Sequence, residues 1–144
     1  MPRGRYDIPL EEERAIYEAG LAHFNAGEFF EAHEAWEDAW NGTSGRRSDF
    51  YRGLIQMAVV WEHYRRRNGL GVRKVFATAR QLWQDLPGVY MGLDLREFER
   101  KMATRLADVL AAPDGAPVSV DPGRFFSVEW QYDPFAEPRE EAAD

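Results

Sequence analysis

In residues 27–40, Gly-Glu-Phe-Phe-Glu-Ala-His-Glu-Ala-Trp-Glu-Asp-Ala-Trp, an imidazole interrupts an aromatic stripe. Phe29, His33, Trp36 and Trp40 recur at the steps of three and four that place side chains on one helix face. Glu34 and Glu37 flank the histidine. A histidine and carboxylates bordering a core must be paired, or else they belong to a site that uses them. His33 and Glu37 are one turn apart and about 40° apart around the axis. A second polar line runs through Asp49, Arg52, Gln56 and His63. Packed antiparallel, as a short connection favours, the two helices would gather His33, Glu37, Gln56 and His63 into one cluster, walled by Trp36 and Trp40.

Three chemistries fit such a cluster. One is a hydrogen-bonded pin that fixes helix register, with every polar group satisfied. A second is a divalent metal centre, the cofactor that His33, Glu37 and His63 would take, with Glu34 as a further oxygen ligand. The third is a metal-free pocket in which a histidine–glutamate pair moves protons or holds a small polar ligand. The His-x-x-x-Glu spacing is not the two-histidine helix of zinc proteases, and the doubled Glu-x-x-His of di-iron bundles is missing. Spacing leaves the three open.

Other chemistries find less support. With no cysteine, the chain has no disulfide, thiolate nucleophile or Cys-ligated metal. Ser44, Ser48, Ser119 and Ser127 fall in turns or the C-terminal part, without a nucleophile elbow. Asn68-Gly-Leu-Gly71 lacks the lysine pattern of a phosphate loop. His23, near the end of the first helix, suits a solvent-facing or dipole-complementing role.

Five helices must position these groups. Pro9 and the acids Glu11, Glu12 and Glu13 open the first, whose stripe is Leu10, Tyr17, Leu21 and Phe24, and Gly27 stops it. The second covers residues 28–40. The third, about 48–67, is apolar nearly all round from Leu54 to Trp61, as expected of a helix packed on several sides. Asn68-Gly69 reads as its C-terminal cap. The fourth, about 71–86, is cleanly amphipathic and ends at Pro87-Gly88. Asp94 and Glu97 form a capping box for the fifth, whose stripe runs from Leu95 to Leu110. Residues 118–120 and 125–130 read as extended, the latter apolar enough to dock on the bundle.

The expectation is an all-α fold, with residues 1–8 an N-terminal arm, 9–112 a five-helix bundle, and 113–144 an irregular segment ending in a solvated acidic tail from Glu137. Helices one and two resemble a single tetratricopeptide pair through Gly20, Phe24, Gly27, Phe29, Ala32, Trp36 and Ala39, but no full-length repeat is apparent.

At 144 residues, 44% of them hydrophobic, the chain can bury the core of one domain. A formal charge of −7 disfavours nucleic acid and anionic lipid as partners and leaves self-association open. Arg65-Arg66-Arg67 runs against that charge and reads as a helix-end complement to the dipole. No apolar run is long enough to span a bilayer, and no leader pattern is present, so a cytoplasmic protein is expected.

The stretch Phe24-Asn-Ala-Gly-Glu-Phe-Phe-Glu-Ala-His-Glu-Ala-Trp-Glu37, with Phe50-Tyr-Arg-Gly-Leu-Ile-Gln-Met-Ala58 and His63, resembles the bacterial and archaeal family called domain of unknown function 309. The resemblance covers about residues 15–90. It implies a compact multihelical bundle, an intracellular protein and no established activity. It maps the family's signature positions onto His33, Glu34, Trp36, Glu37, Gly53, Gln56 and His63. The expected function is a polar site between helices two and three that takes a divalent metal or small polar ligand. Its competitor is a helical protein-interaction module whose polar cluster is only structural.

Overall fold

Left-handed residues mark the main turns of this chain. A computed structural model describes residues 8–136, and Gly27, at φ 75°, ends α1 (Leu10–Asn25) and releases α2 (Phe29–Asn41). Next, α3 (Gly45–Arg65) is turned by Arg67, at φ 59°, into α4 (Gly69–Trp83). Strands β1 (Val89–Tyr90) and β2 (Leu93–Asp94) pair antiparallel around Met91 and Gly92, both at positive φ, as a mirror-image hairpin turn requires. Two helices follow, α5 (Leu95–Arg105) and α6 (Ala107–Ala111), and then a 3-10 turn at Pro122–Arg124. The class is all-α, as expected, apart from the small hairpin. Residues 1–7 of the expected arm (1–8) and the acidic tail from Glu137 lie outside the described residues, while Ile8 is buried against Gly42.

Helix ends follow the residues that cap them, with two corrections. Asp94 accepts from the Glu97 N–H at 3.0 Å, as the capping box predicts. The predicted single fifth helix breaks at Leu106 (φ −110°, ψ 16°), making six helices rather than five. The bend lays α6 on α4, where Val109 is buried and its carbonyl accepts from Arg73 at 3.1 Å. The cap after α3 is also shifted: Arg67 takes the left-handed role, while Asn68 caps α4 by accepting from the Gly71 N–H at 2.9 Å.

The two long hairpins repeat one another at an offset of 40 residues. Helices α1 and α3 end at Asn25 and Arg65, and α2 and α4 begin at Phe29 and Gly69. The turn bonds coincide: Glu28 N–H to His23 O at 2.8 Å matches Asn68 N–H to His63 O at 2.9 Å. Gly27 N–H to Phe24 O and Arg67 N–H to Tyr64 O are both 3.0 Å. Buried Phe24, Ala32, Trp36 and Ala39 correspond to buried Tyr64, Val72, Phe76 and Ala79. The tetratricopeptide-like unit read in the first hairpin therefore has a second copy beside it, and each helps bury the other.

Each hairpin is closed by a tryptophan lying over a glycine of the preceding helix. Trp36 covers Gly20 and donates to the Tyr17 carbonyl at 3.3 Å; Trp83 covers Gly53 and donates to the Phe50 carbonyl at 3.1 Å. Both bonds reach the residue three before the glycine, and both indoles are fully buried. Gly53 and Trp83 lie two turns farther from their hairpin turn than Val60 and Phe76, their counterparts of Gly20 and Trp36. Trp61 is likewise fully buried, as expected of a core tryptophan, while Trp40 and Trp130 are half-buried.

The C-terminal stretch docks as its apolar content predicts, though without forming strands. Tyr64 Oη donates to Ser119 O at 2.9 Å and accepts from Asp121 N–H at 2.7 Å. Arg67 donates to Val118 O at 2.8 Å. Beyond the 3-10 turn, Phe125 packs between Phe29 and Trp61, and Trp130 lies 5.0 Å from the Tyr17 ring.

Candidate functional site

His33 projects from the second turn of α2 toward α3. Its Nε2 is 2.5 Å from Glu37 Oε1, one turn on, and its Nδ1 is 3.5 Å from Glu62 Oε2 on α3. The second contact is an ion-pair distance; the ring nitrogen makes no hydrogen bond of good geometry there. Phe30 meets the imidazole edge-on at 6.0 Å. Glu37 is nearly half exposed, while the His33 and Glu62 side chains retain 25% and 14% of their accessible surface. The arrangement ties α2 to α3 at the rim of the core.

The rest of the predicted cluster is not gathered here. His63 turns to α4, with its Nδ1 3.2 Å from Asn68 Nδ2 and its ring over Gly71, where a Cβ would come within 2.6 Å of it. The reason is angular: α3 packs against both α2 and α4, and successive residues on a helix differ by about 100°. Glu62 falls on the α2 side and His63 on the other. The same turn-closing pair appears in the first hairpin, where His23 Nδ1 meets Glu28 Oε1 at 2.9 Å. Trp36 walls nothing at this site, because it faces Gly20 on α1. Gln56 is half-buried with no side-chain hydrogen bond among the described residues, Glu34 is exposed, and Trp40 stacks with Arg52 at 5.8 Å.

A metal set of His33, Glu37 and His63 is therefore not assembled. Among the described residues no three His, Cys, Asp or Glu side chains are grouped closely enough to hold a metal ion. His33→Ala is expected to lower stability by about 0.5–1.5 kcal/mol, the scale of a partly exposed ion pair and hydrogen bond. Thermal unfolding with added Zn²⁺ or with chelator should shift wild type and variant equally; a shift confined to wild type would restore the metal reading.

Sequence reasoning missed a second ionic group, deeper in the fold. Glu13 of α1 is fully buried; its Oε2 accepts from Arg47 Nε at 2.7 Å and from Tyr51 Oη at 2.5 Å. Arg47 and Tyr51 lie one turn apart on α3 and are buried too. Tyr17 Oη donates to Met91 O at 2.7 Å. Burial first, then the Glu13 charge and hydrogen bond, push the Tyr51 phenol well above its ordinary range; burial likewise raises Tyr17. The available signal was phase: Glu13 sits on the stripe of Tyr17, Gly20, Leu21 and Phe24, and Arg47 on that of Tyr51, Leu54 and Ala58. Sealed from solvent, this group fastens α1 to α3 and has no route for a substrate.

Two arginines of the run, Arg65 and Arg67, are engaged within the chain. Arg65 donates to the Gly27 carbonyl and lies 4.9 Å and 4.8 Å over the rings of Phe29 and Phe125. Arg73 pairs with Asp114.

Paired helical hairpins with locking tryptophans and a rim imidazole define a small all-α hairpin protein. Residues 17–75 match the profile of the family described as Domain of unknown function (DUF309), so that stretch is similar to it. It is similar to the uncharacterized protein YpuF of Bacillus subtilis (strain 168), 33% identical over 66 residues, which are 44% of this chain and 38% of that protein. The chain thus spans less than half the length of this relative. Among the described residues no helix is long and apolar enough to cross a membrane.

Proposed function

We propose that the chain is a helical module that binds another polypeptide, with the His33 cluster serving as a structural tie between α2 and α3. The reading is supported by one observation above all: the inner side of α1 and α3 already holds a length of irregular, non-helical polypeptide, residues 125–130, followed by a bend and turn at 131–135. Asn25 of α1 brackets Val128, donating to its carbonyl at 2.9 Å and accepting from its N–H at 2.8 Å. Such a side-chain bracket reads main chain and not sequence, and aromatic seats beside it supply the contact area. The rim cluster, by contrast, offers neither a grouped ligand set nor sealed walls.

Selection of peptides from a random library on the immobilised full chain tests this. Enrichment of a consensus that is lost with Asn25→Ala supports the module. Equal recovery on wild type and Asn25→Ala would remove it.

A further inference from the structure

We propose that the α1/α3 face is specific for peptides of the pattern Phe-Phe-x-x-x-Trp-x-x-Asp, and that residues 125–133 are its resident occupant, displaceable by such a segment from another chain. This rests on the peptide-binding reading above and adds the chemistry of the partner.

Three seats define the pattern. Phe125 packs edge-on to Phe29 and Trp61 at 4.9 Å and 5.0 Å, and Phe126 meets Phe24 and Phe98 at 6.0 Å and 5.6 Å. Trp130 covers Tyr17. Arg14 then selects the acid: its Nη1 donates to both carboxylate oxygens of Asp133 at 2.9 Å and 3.0 Å while its guanidinium lies 5.5 Å over the Trp130 ring. Charge-assisted hydrogen bonding and cation–π contact together favour an acid three residues after an aromatic. The Phe135 N–H, and after it Arg14, hold the Asp133 carboxyl below its ordinary range, so it is ionised when it binds.

The occupant fits loosely. Over residues 126–133 the main chain is tied to the helices and hairpin at two places among the described residues: at Val128, by Asn25, and at Gln131, whose N–H donates to Gly92 O at 2.8 Å. The Trp130 indole N–H is buried with no hydrogen bond of good geometry among the described residues. Phe125, Phe126, Val128 and Trp130 are partly buried against the core, not sealed in it. Open troughs run along both sides of the segment, about 430 Å³ beside Glu18 and Leu21 and about 130 Å³ beside Phe98 and Lys101. By contrast, the stretch just before it is pinned by Tyr64, Arg67 and the Arg124–Asp108 pair. Few main-chain bonds and partial exposure are the marks of a segment that detaches without global unfolding. A tethered occupant competes at high effective concentration, so a free peptide should bind wild type weakly and an emptied face well.

The test uses the full chain and a fluorescent peptide of residues 123–136, read by anisotropy. Asp133→Asn in the protein, which loosens the resident segment without touching the core, should tighten peptide binding by about tenfold or more, as should Trp130→Ala. Adding Asn25→Ala or Arg14→Ala to either variant should reverse the gain. Circular dichroism confirms that each variant keeps its helices, and Asp133→Asn carries the test if Trp130→Ala does not fold. Peptide affinity unchanged by Asp133→Asn, or gains that survive Asn25→Ala, would overturn the proposal. If library selection instead returns an Asn25-dependent consensus unlike residues 125–133, the module reading stands and this specificity falls.

Discussion

Gly53→Ala should cost about 3 kcal/mol or more, although alanine is the better helix former by about 1 kcal/mol. A Cβ at Gly53 would lie 1.9 Å from Trp83 Nε1 and within 2.6 Å of two further ring atoms. The indole cannot withdraw: it is fully buried, stacked on Phe50 at 6.2 Å and hydrogen-bonded to the Phe50 carbonyl. In urea the midpoint should fall at nearly constant slope, since the surface exposed on unfolding is unchanged. Gly20→Ala meets Trp36 at 2.0 Å and should behave alike. Gly88→Ala is the control, because its nearest neighbour would be the Arg96 side chain at 3.9 Å, and a change within about 0.5 kcal/mol is expected. A Gly53→Ala midpoint equal to wild type would mean the tryptophan locks do not hold the hairpins.

Glu13→Ala should be nearly as damaging, by about 3–5 kcal/mol, because it leaves the Arg47 charge buried without its carboxylate. Replacing both partners, as in Glu13→Leu with Arg47→Met, should recover much of that loss, since apolar side chains of similar volume incur no desolvation penalty. The same group sets an alkaline limit. Tyr51 and Tyr17 have raised values in the folded chain, so the fold favours neutral phenol. Stability should therefore be flat with respect to these groups below about pH 10, where unfolded phenols begin to ionise, and fall as pH climbs toward the folded values. Each tyrosine contributes a slope of about 1.4 kcal/mol per pH unit in that window. Tyr51→Phe should lower stability at neutral pH yet flatten the alkaline slope, measured by urea unfolding across a pH series. A slope unchanged in Tyr51→Phe would contradict this account.

What could be read from the residues alone follows the range of the interaction. Helix placement was legible because its causes are local: Gly27, the Asp94–Glu97 box and the Val72–Leu86 stripe each act within a few residues. The β1–β2 hairpin was not, because Met91 takes a left-handed conformation that usually signals itself as glycine or asparagine. The 40-residue repeat escaped notice because, between residues 17–41 and 57–81, only His23/His63 and Ala39/Ala79 are identical. Its register is carried by burial and turn geometry, which arginine at 67 disguises where the first hairpin has glycine. At the site, His33 and Glu37 were found because they share one helix, but choosing Glu62 over His63 needed the rotation of α3, a tertiary quantity. Glu13 was hidden within an acidic triplet whose other members serve the helix dipole.

Arg14 and Asp133, joined across the docked stretch, are 119 residues apart. During synthesis at about 5–20 residues per second, that separation is about 6–24 s of ribosome time. Throughout it the α1 flank, with Tyr17 and Phe24, awaits a covering not yet translated. The nascent hairpins thus present an aromatic surface long enough for a chaperone to find.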